Sequence, residues 1–119
     1  MSANDQATSF FDGYRTALLD RDAGAIAGKY AVPALILFPA QSLVVADRTQ
    51  TEAFFHSAFG QYDGVTDTRA DVRVVAETEH SIWADVTWHH EGAEPERFIY
   101  QLVASDGEWQ IAVLTLMHV

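Results

Sequence analysis

Two adjacent histidines, His89 and His90, lie in the segment TWHHEG that runs from Thr87 to Gly92. Imidazole gains or loses a proton near neutral pH, and it is also a common metal ligand. The pair therefore suggests either acid–base chemistry or metal binding. Which of the two applies depends on the direction in which each ring points.

The predicted strand that carries the two histidines argues against a shared metal ion. The segment 80–91 is typical of a β-strand, and its even positions are the more apolar ones. Neighbouring side chains of a strand point to opposite faces, so His90 should face the interior and His89 the outside. The sequence has no cysteine, no His-x-His pair and no His-x-x-x-His pair. Because a metal site needs convergent ligands, we expect no bound metal ion and no cofactor.

The composition excludes several function classes. The 119 residues include 17 acidic and 7 basic side chains, for a formal net charge of −10, so nucleic acids and anionic membranes would be repelled. The sequence has no glycine-rich phosphate loop and no Gly-x-Ser-x-Gly elbow. The polar start lacks the pattern of a signal peptide, and no apolar run has the length of a membrane span. A cytoplasmic location is expected.

The elements that must position these side chains form one predicted domain, residues 1–119. Apolar spacing predicts a helix over 5–20, and Asp22 is placed to cap a short second helix that Pro33 ends. Thr49 and Glu52 match a capping box for a third helix. Six segments are typical of strands: 34–38, 42–47, 70–79, 80–91, 96–105 and 108–117. Helices followed by a strand meander predict an α+β fold.

Both ends of this predicted series of helices and strands resemble the nuclear transport factor 2-like superfamily, in particular its SnoaL-like and ketosteroid isomerase branches. The segment RFIYQLVASDGEWQIAVLTL (97–116) resembles the last hairpin of that superfamily, and YRTALLDRDAGAIAGKYA (14–31) resembles its two-helix start. The resemblance covers nearly the whole chain. It implies a cone-shaped, curved mixed or antiparallel sheet wrapped around three N-terminal helices, with a cavity inside. Homodimers are common in that superfamily.

Antiparallel pairing predicts which residues of the last two strands face the cavity. A two-residue turn at Asp106-Gly107 would pair Ser105 with Glu108, so that Leu102 opposes Ile111. Continued alternation then places Tyr100 opposite Val113. The residues of the last strand that are predicted to point inwards are Trp109, Ile111, Val113, Thr115 and Met117.

The same alternation leaves an apolar outer sheet face. Its predicted members are Ile99, Val103, Ala112, Leu114 and Leu116. A face that apolar would be costly on a monomer. We therefore expect it to form a homodimer interface.

The inward positions predict a small-molecule pocket that is mostly aromatic, with a few polar tips. Its polar members are Tyr14, His90 and Tyr100, which are the candidate catalytic residues. The other predicted lining residues are Leu18, Tyr30, Phe38, Phe55, Phe59, Trp88, Phe98, Val113, Thr115 and Met117. The alternative is that these aromatic residues simply fill the core.

The resemblance to ketosteroid isomerases assigns roles to three of these positions. Those enzymes use a carboxylate base on the first strand and two hydrogen-bond donors that stabilise an enolate. A gapless match through YRTALLDRD places the donors at Tyr14 and Tyr100 and the base at Phe38, which cannot take a proton. Steroid isomerisation by that route is therefore disfavoured.

Two classes of function remain open. In the first, the protein is a SnoaL-like enzyme of the isomerase, cyclase or hydrolase type that acts on an apolar oxygenated compound. Tyr14 and Tyr100 would then polarise an oxygen, and His90 would move a proton. In the second, it is a non-catalytic, dimeric ligand-binding or protein-assembly module, and His90 is a hydrogen-bonding residue at the cavity mouth.

Overall fold

The computed structural model describes residues 2–62 and 64–118. The helices are α1 (Ala3–Leu19), α2 (Ala23–Ala27) and α3 (Arg48–Ala58), and α3 continues into a short 3₁₀ helix (Phe59–Tyr62). The strands are β1 (Tyr30–Phe38), β2 (Gln41–Val45), β3 (Thr68–Glu77), β4 (Ser81–His90), β5 (Glu96–Ser105) and β6 (Glu108–Met117). In the described part of the chain, no helix is both long enough and apolar enough to cross a bilayer.

The six strands form one curved, unclosed mixed sheet in the order β2-β1-β6-β5-β4-β3. Strands β1 and β6 run parallel, and the other neighbouring pairs run antiparallel. The helices pack on one face of the sheet and supply much of the core, including Phe10 and Phe11 from α1 and Ile26 from α2. The α+β fold class predicted from the sequence is confirmed.

The two short-range capping predictions have different outcomes. Asp22 caps α2 as predicted, since its carboxylate accepts a hydrogen bond from the Ala25 N–H at 3.0 Å. The capping box of α3 is formed by Asp47 and Gln50, not by Thr49 and Glu52. The Asp47 carboxylate accepts from the Gln50 N–H at 2.9 Å, and the Gln50 amide oxygen accepts from the Asp47 N–H. The helix therefore starts earlier than predicted.

Pro33 does not end a helix but lies inside β1, which corrects the sequence-based expectation. Helix α2 has already ended at Ala27. The pairing of β1 with β6 is irregular between Tyr30 and Leu35, the part of the strand that contains Pro33. Proline has no N–H to give to a ladder, so a strand tolerates it where regular pairing is interrupted.

The concave face of the sheet carries the predicted apolar alternation. In β4 the even positions Ile82, Ala84, Val86 and Trp88 are all buried. In β5 the even positions Phe98, Tyr100 and Leu102 are buried in the same way. Alternation along these two strands was therefore sufficient to predict their inward faces.

Strand β6 departs from the predicted register after Ile111. The pairs Ser105–Glu108 and Leu102–Ile111 form as predicted, but Gln101 then pairs with Val113. One residue, Ala112, is thus extra in β6, and a β-bulge of this kind reverses the faces of all later side chains. Tyr100 consequently opposes Leu114 and not Val113.

The bulge corrects five of the sequence-based assignments. Val113, Thr115 and Met117 were predicted to line the pocket, yet they share the outer face because Thr115 pairs with Ile99 and Met117 with Arg97. Leu114 and Leu116 were predicted to lie outside, yet Leu114 is buried and Leu116 packs against the core. The outer face therefore loses two leucines and gains Val113, Thr115 and Met117.

Asp85 is a buried acid on the outer face, held between two arginines. Arg97 donates from Nε to Oδ1 at 2.9 Å and from Nη2 to Oδ2 at 2.6 Å, and Arg73 donates from Nη2 to Oδ2 at 3.1 Å. The hydrogen bonds from Arg97 are the main reason that the pKa of the Asp85 carboxyl lies below its ordinary value; burial opposes this and the Arg73 bond adds to it. The charge is thus compensated on both oxygens.

The register of β6 predicts that substitutions at two adjacent residues lower the free energy of unfolding by different amounts. Leu114→Ala should lower the free energy of unfolding by about 2–4 kcal/mol, since it empties a core position. Val113→Ala should cost less than about 1 kcal/mol, because its side chain is on the outer face. Urea unfolding measures both. The reverse order would mean that β6 has no bulge.

The ion-paired carboxylate predicts a stability difference that depends on pH. Asp85→Asn should lower the free energy of unfolding at pH 7 by about 2 kcal/mol, because charge-assisted hydrogen bonds are lost. The folded pKa lies below the unfolded value of about 4, so the contribution is complete above pH 4 and is lost as the pH falls through the folded pKa. The difference from wild type should therefore shrink below pH 4.

A matched control for this difference in the free energy of unfolding is Asp71→Asn, which alters a more exposed acid on the same face. Its expected cost is less than about 0.5 kcal/mol, as for other exposed ion pairs. Equal stability of Asp85→Asn and wild type at pH 7 would show that the arginine contacts do not stabilise the fold.

Candidate functional site

A cavity of about 680 Å³ lies between the concave face of the sheet and the helices. Its volume is within the range of about 300–1,000 Å³ that is usual for small-molecule sites. Nine of the predicted site residues line it: Tyr14, Leu18, Phe38, Phe55, Phe59, Trp88, His90, Phe98 and Tyr100. The structure thus brings all three candidate catalytic residues to one cavity.

The remaining predicted residues lie elsewhere. Tyr30 is buried behind the cavity wall and contacts Tyr14. Val113, Thr115 and Met117 are on the outer face because of the bulge in β6. Described lining residues that were not predicted from the sequence are Leu19, Arg21, Leu43, Gln50, Ala53, Phe54, Ser57, Ala58, Val65, Thr68, Glu96 and Leu114.

Two tyrosine hydroxyls, one from α1 and one from β1, form a buried hydrogen bond. The Tyr14 and Tyr30 oxygens are 2.7 Å apart, and either can be the donor. Tyr30 is held in place by the ring of Phe55, whose centroid is 5.3 Å away. The bond fixes the position of the Tyr14 hydroxyl at the cavity wall.

The second hydroxyl, that of Tyr100, accepts a hydrogen bond from the Trp88 indole Nε1–H at 3.0 Å. The backbone partner of Tyr100 on β4 is Ala84, whereas Trp88 is directly opposite Glu96. The Trp88 and Tyr100 side chains therefore meet along the sheet and not directly across it.

His90 is hydrogen-bonded through both ring nitrogens. Its Nε2 is 2.8 Å from Glu96 Oε1, and its Nδ1 is 2.8 Å from Thr68 Oγ1. The imidazole is 7% exposed and the Glu96 side chain 33% exposed, so the pair runs from the interior to the rim of the cavity. Thr68 is the backbone partner of His90 on β3 and is buried.

Glu96 was missed in the sequence, although a signal for it was present. It has the same parity on β5 as Phe98 and Tyr100, and extending the inward set by one position would have placed it in the cavity. Its position next to the loop made it look like a solvated surface acid.

His89 points to the opposite face, as alternation predicted. Its Nε2 is 2.9 Å from Asp71 Oδ2 on the outside of the sheet. Over residues 2–62 and 64–118, no three or more His, Asp or Glu side chains are grouped so that they could hold a metal ion.

Phe38, the position that the resemblance assigns to a catalytic base, carries a half-buried ring at the cavity edge. The ring stacks on Phe54 of α3, with centroids 6.2 Å apart and planes inclined by 27°. Arg21 lies at another part of the rim, where its guanidinium donates to the carbonyl oxygens of Leu18 and Val65, each at 3.1 Å. It ties the end of α1 to the segment before β3.

A curved, unclosed sheet with helices on its concave side and a cavity between them defines the class as a cone-shaped α+β roll. Within that class, the chain belongs to the family described as NTF2-like protein (DUF6841), whose model matches residues 4–118. The superfamily resemblance inferred from the two ends of the chain is thereby confirmed.

Solved structures with this fold are distant in sequence. An NTF2-like protein of unknown function from Shewanella oneidensis has a TM-score of 0.78 and 11% identity, over 94% of this chain and 96% of that one. A protein with unknown function from the DUF3225 family of Pectobacterium atrosepticum has a TM-score of 0.73 and 15% identity, over 98% and 91% of the two chains.

A putative calcium/calmodulin dependent protein kinase II association domain from Xanthomonas campestris is also similar, with a TM-score of 0.67 and 19% identity over 93% of this chain and 85% of that one. At these identities the likeness shows the fold alone. No curated protein matches the sequence.

Proposed function

We propose that the protein binds a small, apolar, oxygen-bearing compound in its cavity and acts on it as a SnoaL-like enzyme. The observation that carries this proposal is the convergence of two tyrosine hydroxyls and one imidazole on a cavity that is otherwise mainly aromatic and aliphatic. Cyclic ketones, polyketide fragments and oxygenated aromatic compounds have the required combination of ring surface and oxygen.

Both tyrosines are suited to hold the oxygen of such a ligand. Tyr14 is positioned by Tyr30, and Tyr100 is positioned by Trp88. Donors that are fixed before the ligand arrives stabilise developing negative charge without reorganising. In this proposal Tyr14 and Tyr100 polarise the ligand oxygen, and His90 takes part in proton movement.

The charge of the chain favours an uncharged ligand. A formal net charge of −10 repels anions at long range. Within the cavity, Glu96 and Arg21 are the charged lining residues among those described, and each is engaged with protein groups. A neutral compound would bury its apolar surface without displacing either contact.

A cytoplasmic location stays a prediction.

Filling the cavity should prevent ligand binding. We expect 6-propionyl-2-dimethylaminonaphthalene, a neutral aromatic ketone, to bind wild type with a blue shift of its fluorescence. Leu18→Trp, which places an indole in the cavity, should weaken binding at least tenfold, which is about 1.4 kcal/mol. Fluorescence titration measures both affinities.

Val44→Trp is the matched control, because Val44 is 61% exposed on β2 and lies outside the described cavity lining. It should bind the probe as wild type does. Equal binding by Leu18→Trp and wild type would place the probe elsewhere and contradict the cavity proposal.

The second candidate function is that of a dimeric assembly module that uses the outer sheet face. After correction for the bulge, Ile99, Val103, Val113 and Met117 supply apolar surface on the outer side of β5 and β6. One of the structurally similar proteins is named an association domain, which agrees with a role in assembly. A second copy of this chain is the partner that we propose.

Sedimentation velocity tests this assembly. Wild type at about 10 µM should sediment as a dimer, because this concentration is well above a dimer dissociation constant of about 1 µM. That dissociation constant corresponds to a binding free energy of about 8 kcal/mol. Ile99→Glu should produce monomers by placing a charge in the apolar face. Val75→Glu, on the edge strand β3, should remain dimeric. A monomeric wild type would contradict the assembly proposal.

A further inference from the structure

We propose that Thr68, His90 and Glu96 form a hydroxyl–imidazole–carboxylate triad that hydrolyses neutral esters in the cavity. This inference deepens the proposed function and rests on it, since the ester must first bind between the helices and the sheet. It identifies the reaction as acyl transfer to Thr68 and the ligand as an ester with an apolar acyl group. All three side chains line the cavity, and they come from the neighbouring strands β3, β4 and β5.

The triad is continuous, because both of its contacts are at hydrogen-bond distance. Thr68 Oγ1 is 2.8 Å from His90 Nδ1, and His90 Nε2 is 2.8 Å from Glu96 Oε1. A hydroxyl is a weak nucleophile, and it is activated by an adjacent base that a third group orients. Thr68 is the backbone partner of His90 on β3, so the register of the sheet holds the first contact in place.

The carboxylate determines which nitrogen of the imidazole carries the hydrogen. A carboxylate oxygen only accepts hydrogen bonds, so Nε2 of His90 is protonated and donates to Glu96. In the neutral ring Nδ1 is then an acceptor, and the Thr68 hydroxyl donates to it. His90 therefore faces the hydroxyl hydrogen with a free basic lone pair, as the base of a catalytic triad must.

The imidazole is used in the sense opposite to that of the serine proteases, in which Nε2 faces the nucleophile. Either ring nitrogen can accept a proton, so the exchange of roles leaves the chemistry unchanged. A second acceptor for the Thr68 hydroxyl is the His89 carbonyl oxygen, which is farther away at 3.3 Å. The shorter contact is thus the one to the base.

Glu96 also stabilises the ring after it has taken the proton. Imidazolium carries a hydrogen on each nitrogen and a positive charge. The His90 ring is 7% exposed, so water reaches it poorly and the carboxylate contact compensates for the missing solvation. Glu96 acts through His90 and is therefore a positioning residue.

A neutral ester fits the charges of the site. The net charge of −10 repels anionic ligands at long range, but it does not repel an uncharged ester. Negative charge develops on the ester oxygen only when the hydroxyl attacks. Arg21 lines the same cavity and donates to the carbonyl oxygen of Val65, three residues before Thr68. Its positive charge favours the oxygen anion that forms during attack.

The reaction is balanced over two steps. In the first, the Thr68 oxygen bonds to the ester carbonyl carbon while its hydrogen moves to His90 Nδ1. The bond from that carbon to the alkoxy oxygen breaks, and the alkoxy oxygen takes the hydrogen from Nδ1 and leaves as an alcohol. In the second step, water attacks the acyl-threonine with the same base. This releases a carboxylic acid and restores Thr68, and no oxidant or reductant is needed.

Hydrolysis of 4-nitrophenyl butyrate, a neutral aromatic ester, tests the inference. Wild type should accelerate release of 4-nitrophenolate, and mass spectrometry after an acid quench should find a butyryl group on Thr68. Thr68→Val keeps the shape of the side chain without its hydroxyl, so its rate should fall at least about 100-fold and the adduct should be absent. Thr68→Ser should restore both. The adduct is measured on the wild-type chain and does not depend on the folding of a variant.

The two adjacent histidines provide matched variants, because His90 lies inside the cavity and His89 on the outer face. His90→Gln should lose hydrolysis as Thr68→Val does, since members of a triad act as a unit. His89→Gln should hydrolyse the ester at the wild-type rate. It measures the hydrolysis that an exposed imidazole contributes by itself.

Glu96→Gln tests the positioning role separately from binding. The glutamine oxygen still accepts from Nε2, but the side chain has no charge to stabilise the imidazolium. Its kcat for 4-nitrophenyl butyrate should fall at least about tenfold. Its KM should stay within about twofold of wild type, because the interaction is made only when the ring is charged.

A wild-type rate in Thr68→Val, or a butyryl group on another residue only, would overturn the triad and leave the cavity proposal intact. Absence of hydrolysis by wild type, while the naphthyl ketone still binds in a Leu18-dependent way, would also overturn it. If the naphthyl ketone does not bind, the proposed function itself is wrong.

Discussion

A single extra residue in β6, Ala112, determines which side chains of that strand reach the cavity. Side chains alternate along a strand, so one inserted residue exchanges the two faces from that point on. The wall opposite Tyr100 is consequently formed by Leu114 and not by Val113. Bulges also increase the twist and bend of a strand. The residue that selects the lining side chain therefore also contributes to the curvature that makes room for a cavity.

The polar groups inside this aromatic cavity occur in bonded pairs. Tyr14 is bonded to Tyr30, the Trp88 indole to Tyr100, and the His90 ring to Glu96. Burying a polar group without a partner is costly, so pairing is what allows these groups to lie among apolar side chains. Each pair also joins two elements of secondary structure, which holds its atoms in place. Stability and the fixed positions of these polar groups thus come from the same contacts.

The sequence was sufficient to predict side-chain direction and strand register wherever strict alternation or a tight turn determined them. Alternation along β4 predicted that His89 and His90 point to opposite faces, and the Asp106-Gly107 turn predicted the register as far as Ile111. The bulge was not predictable, because alanine is compatible with either face and no glycine marks the irregularity. The choice between Asp47 and Thr49 as helix cap was similarly ambiguous, since both residue types cap helices well. Glu96 was missed although its parity on β5 matches that of Phe98, because it lies next to the loop and resembles a solvated surface acid.

Because the sheet does not close into a barrel, two strand edges remain, one at β2 and one at β3. Exposed edges invite pairing with another chain and hence aggregation. The structure limits this hazard differently at each side, since β2 is short and β3 carries the exposed charged residues Arg69, Asp71 and Arg73. An open sheet can thus keep the mouth of its cavity accessible while remaining protected against strand addition and fibril growth.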